Sequence, residues 1–124
     1  MRCRAWTAKL KHLSSQQHAA LVRIPLSDDD LGTEADDALV DCVELAVRTA
    51  LEREPRAGHW DGHEFGGGWA VICCYGHDPI ALIDRVTEAL LPFELPSATT
   101  LVLEADKPEG IETLSVISIG SVDV

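Results

Sequence analysis

His59-Trp-Asp-Gly-His-Glu-Phe-Gly-Gly-Gly-Trp-Ala-Val-Ile-Cys-Cys-Tyr-Gly76 is the stretch that decides the fold. Its first half is polar and its second half is apolar, and Gly66, Gly67 and Gly68 separate them. That pattern reads as a β-hairpin with a glycine turn. The arm Trp69 to Tyr75 is apolar at successive positions, so both its faces are buried and it runs through the centre of a sheet. The other arm carries His59, Asp61, His63 and Glu64, a polarity that suits a sheet edge.

Upstream, Ala19 to Leu26 reads as a strand on the strength of Leu21, Val22 and Ile24. Pro25 cannot donate to a ladder, so pairing stops near it. An acidic loop from Ser27 to Gly32 precedes a helix capped by Thr33. Leu39, Val43, Ala46, Val47, Ala50 and Leu51 recur at helical spacing, and Pro55 stops the helix by residue 54.

Downstream, Asp78 and Pro79 open a second helix as N-cap and first residue. Leu82, Ile83, Val86, Ala89 and Leu90 form its buried stripe, and Pro92 ends it. Thr99 to Ala105 and Glu112 to Ile119 read as two further strands. The order is strand, helix, strand, strand, helix, strand, plus one C-terminal strand. This is the α+β, ferredoxin-like βαββαβ pattern, an antiparallel sheet with two helices on one face. Its usual spatial order places the first and third strands centrally and the second at an edge.

The chain has 124 residues, the size of one domain. Residues 19–124 read as that domain, and residues 1–18 as a basic N-terminal segment. That segment either folds back onto the acidic body or forms an arm; Cys3, Ala5 and Thr7 suggest a short strand at best. No apolar run approaches the roughly 20 residues of a membrane span. The reading is a cytoplasmic protein. Cys3, Cys42, Cys73 and Cys74 form no CxxC pair and read as buried free thiols. Adjacent Cys73 and Cys74 point to opposite faces of their strand.

The formal net charge is −11. All 21 acidic residues lie beyond residue 23, beside five of the ten basic ones. Such a surface repels phosphate backbones and argues against nucleic acid; it attracts a basic partner.

Two sites are expected. His59, Asp61 and His63 alternate along one strand and so share a face; with His77 they form a candidate divalent-metal or general acid–base cluster. Same-face neighbours lie about 6.5–7 Å apart, so a metal needs help from His77 or a thiol. A Ser or Cys in a nucleophile setting is not recognisable, and the glycines join two strands rather than a strand and a helix, unlike a phosphate loop. The second expected site is a binding surface formed by Trp60, Asp61, Glu64, Gly66, Gly67, Gly68 and Trp69. Trp69 and Tyr75 on one face with Val71 and Cys73 make an apolar sheet face that no helix need cover. A homodimer, a partner, the C-terminal strand or the N-terminal segment is expected to cover it.

The runs Ile24 to Thr33, Asp61 to Gly68 and Tyr75 to Asp78 resemble a group of small uncharacterised bacterial proteins. Their pattern joins an acidic helix start, a DG-x-EFGGG hairpin and a second helix start, over residues 22–103. The resemblance implies the ferredoxin-like fold and marks Asp61, Gly62, Glu64, Gly66, Gly67 and Gly68 as distinctive. This chain departs from the pattern at Trp69 and His77. The group has no established activity. The expected function is a non-enzymatic acidic protein-binding domain that neutralises a basic partner as an immunity protein does, by analogy of size and charge. The alternative is an enzyme centred on His59, Asp61, His63 and His77.

Overall fold

In this computed structural model, residues 17–27, 32–107 and 109–120 are described. The expected strand at Cys3 to Thr7 and the centre of the acidic loop lie outside them.

Thr33 caps helix α1, Glu34–Arg53. Its side chain accepts from the Asp36 backbone N–H, while the Asp36 carboxylate accepts from the Thr33 N–H. That reciprocal box satisfies two donors that the first turn leaves free. Helix α2, Pro79–Leu90, starts at Asp78, whose side chain accepts from Ile80 and Ala81. Both starts are as the sequence indicates.

Among the described residues there are also five strands: β1 His18–Pro25, β2 His59–Gly66, β3 Trp69–Gly76, β4 Thr100–Lys107 and β5 Gly110–Ser118. They form one sheet in the order β2-β3-β1-β4-β5, with every neighbouring pair antiparallel. The fold is α+β, a five-stranded antiparallel sheet with two helices. β1 and β3 are central and β2 is an edge, as their polarity requires.

The core lies between helices and sheet. Val40, Val43, Val47 and Leu51 of α1 meet Leu82, Val86 and Leu90 of α2 over Val22, Ile24, Ile72 and Leu101 of the sheet. Each such side chain contributes about 1.5–3 kcal/mol by leaving water. Cys74 belongs to this core, whereas Cys73 points to the other face. Cys42 differs from its expected burial: it is an exposed free thiol on the outer side of α1.

The other sheet face is buried within the chain itself, one of the outcomes expected for it. Ala19, Leu21, Val71, Cys73, Tyr75 and Val102 form a second buried cluster there, none more than 7% exposed. This face is therefore not an open docking surface. Strand β5 does not cover it, because β5 lies beside β4 and extends the sheet. The N-terminal segment, up to residue 16, falls outside the described residues.

Candidate functional site: the β2 rim and the outer face of α1

Strand β2 does not alternate regularly. Trp60 lies opposite Cys74, yet His63 lies opposite Ile72, so three steps along β2 match two along β3. The extra residue makes a β-bulge, and Gly62 within it has φ +110°. An L side chain rarely adopts that conformation, which is why glycine occupies the position.

The bulge changes which side chains share a face. Trp60, His63 and Phe65 all lie toward the helices, whereas His59, opposite Tyr75, lies on the other face. The His59 ring packs on the Tyr75 ring, centroids 5.5 Å apart. The expected His59, Asp61 and His63 row is therefore not formed. His77 stands exposed beyond β3, just before the α2 cap. Among the described residues, no group of three His, Cys, Asp or Glu side chains converges as a metal site.

What the structure brings together instead is a clamp between α1 and β2. One oxygen of Glu44, Oε2, accepts from Trp60 Nε1 at 3.1 Å and meets His63 Nδ1 at 2.5 Å. The Phe65 ring packs edge-on to His63, centroids 5.4 Å apart. A carboxylate on Nδ1 fixes the imidazole's orientation and tautomer. Shared with the indole N–H, it holds the polar rim strand to the helix. Arg48, one turn after Glu44, lays its guanidinium over the Trp60 ring, 4.9 Å from the centroid. Arg48, Glu52, Pro55, His59 and Trp60 border a cleft of about 350 Å³ at this end.

The hairpin turn is as read from the sequence. Gly67 and Gly68 have φ of +61° and +84°, the pair of positive values that a two-residue hairpin turn demands. Glu64 is half-buried opposite Val71, on the face away from the helices. Trp69 is half-buried, and the Arg23 guanidinium lies 4.5 Å from its ring centroid. Each of the two hairpin tryptophans thus has a ring face occupied by an arginine of its own chain. Asp61 is half-buried at the bulge.

Sequence reasoning missed Glu44, Arg48 and Arg23. One signal was present. Glu44 adjoins Val43 and Val47 at the border of the α1 apolar stripe, where a polar rim strand has to dock.

The outer face of α1 is the other feature. Glu34, Asp37 and Asp41 are exposed along its first half, and Leu45 is 61% exposed beyond them. Leu45 also borders a groove of about 410 Å³ between the helices, with Cys42, Ala46, Ala50, Glu88 and Ala89 in its walls. An exposed leucine beside three acids can receive an apolar side chain framed by positive charge.

Comparison with protein-family models, with curated proteins and with solved structures finds no match to this chain. Among the described residues, no helix is long and apolar enough to cross a membrane.

Proposed function

We propose that the chain is a non-enzymatic acidic binding domain that takes up a basic protein partner, as an immunity protein does. We also infer that its framework is a ferredoxin-like sandwich with β5 added at one edge; the strand order β2-β3-β1-β4 supports this. The observation that carries the binding reading is the outer face of α1, where Glu34, Asp37 and Asp41 lead to the exposed Leu45. Charge opposition speeds encounter with a basic surface, and Leu45 supplies a desolvated contact. The Asp61–Gly68 hairpin forms the rim of this surface, joined to α1 through Glu44. Because Trp60 and Trp69 already stack on arginines, the partner's basic groups meet carboxylates first.

The test is capture by the immobilised full chain from the source cell's lysate and secreted fraction. The expected catch is a basic protein whose retention falls as salt rises. Asp37→Lys with Asp41→Lys is expected to weaken it about tenfold or more, and Leu45→Ala to speed its release. Glu109→Lys, on the far β4–β5 turn, is expected to leave it unchanged. Retention indifferent to salt and to the α1 variants defeats the proposal.

A further inference from the structure

The sheet has two edges of opposite character. The β2 edge is guarded by a bulge, by His59, His63 and Glu64, and by the Glu44 clamp. These are the devices by which a rim strand avoids pairing with another chain. Strand β5 presents a different edge. From Thr113 to Ile119 it carries no charge, although the whole chain has a net charge of −11. Its one charged residue, Glu112, is engaged by Lys107 of β4.

β5 is also apolar on both faces. Val116 lies opposite Val102, on the face away from the helices, and is 61% exposed. Ile117 lies opposite Leu101, on the helix face, and is 36% exposed. A further strand at this edge would place cross-strand neighbours about 4.5–5.5 Å from these exposed apolar side chains and so shield them. Here only β4 flanks it among the described residues.

We infer that β5 is a self-association edge: two copies pair β5 to β5 antiparallel about a two-fold axis, forming one ten-stranded sheet. The occupant is a second copy because of the charge pattern. A basic partner gains nothing at an uncharged strand, whereas two acidic copies can approach closely only where each is neutral. With Val116 on the axis, Val116 of one copy faces Val116 of the other, and Glu112 faces Gly120. No like charges then meet within the strand pair, and the contact is self-complementary and closed.

The charge carried by the rest of each copy opposes this contact at long range. Salt therefore strengthens it, the reverse of its effect on a basic partner at α1, so the two readings fail separately. The experiment is sedimentation equilibrium of the full chain over a range of concentrations, at about 50 mM and about 500 mM NaCl. The dimer fraction is expected to rise with both. Val116→Lys, at a site exposed in the single copy, is expected to raise the dissociation constant about tenfold or more, because two lysines then meet on the axis. Hydrogen exchange of the unaltered chain gives a second readout: amides of residues 113–118 slow as concentration rises, and those of β2 do not. If Val116→Lys fails to fold, that exchange pattern decides. A chain that stays monomeric throughout, a dimer that salt dissolves, or a Val116→Lys dimer as tight as the parent overturns the inference. So does exchange at β5 that is independent of concentration.

Discussion

Glu44 links two elements through a single carboxylate oxygen, so its removal takes the partner of the part-buried Trp60 indole N–H and leaves the exposed His63 ring to water. Glu44→Ala is expected to lower stability by about 1–3 kcal/mol, read from urea unfolding. Glu44→Gln keeps an acceptor oxygen and is expected to lose less. Exchange of the β2 amides quickens in the alanine variant, while that of the β3 amides does not. An alanine variant as stable as the parent would show that the clamp holds nothing. At this scale the sequence was only half legible. Gly67 and Gly68 announce their turn, because positive φ at two successive residues nearly demands glycine. Gly62 announces nothing comparable: a glycine within a strand pattern marks either a bulge or a mere weak point. The strict alternation assumed for His59, Asp61 and His63 failed at that one residue.

Among the elements, α1 was the most readable, since its cap, apolar spacing and stop at Pro55 all agree. Its start also carries a pH dependence. Asp36 accepts from the Ser27 N–H at 2.9 Å, the Ser27 hydroxyl at 2.8 Å and the Thr33 N–H at 2.9 Å. Burial, the largest single influence, raises its pKa, but the hydrogen bonds from the Thr33 and Ser27 backbones and side chains together prevail and lower it. A carboxylate depressed in the folded state stabilises the fold fully above its unfolded pKa, near 3.8. That contribution disappears as pH falls through the lower folded value. Asp36→Ala is therefore expected to cost about 1 kcal/mol at neutral pH. The gap between variant and parent should close in acid; a gap constant across the acid range contradicts the assignment. Strands β4 and β5 were found within two residues of their expected limits. The place of β5, beside β4 as a fifth strand rather than across the other sheet face, was decided by the fold.

For the molecule as a whole, the two-sided burial of β3 makes a chemical distinction among the thiols. Cys42 is exposed, whereas Cys73 and Cys74 are each 1% exposed, on opposite sheet faces. In a Cys3→Ser background, a disulfide-exchange reagent is expected to titrate one thiol at once and the other two only as the chain unfolds. Three thiols reacting together would mean that one or both sheet faces open readily. Charge acts at this scale too. The acidic excess and the uncharged run from Thr113 to Ile119 were visible in the sequence, but the exposure of Leu45 beside the α1 acids and the position of β5 at the sheet edge are properties of the fold.

The sequence by itself determined the elements, their order, their caps and which strands lie centrally, because these depend on local backbone preference and on period-2 or period-3.6 burial. Tertiary structure decided which polar groups meet. Glu44 reaches Trp60 and His63 across separations of 16 and 19 residues. Such contacts depend on how a bulged rim strand and a helix border happen to align, and no local rule encodes that alignment.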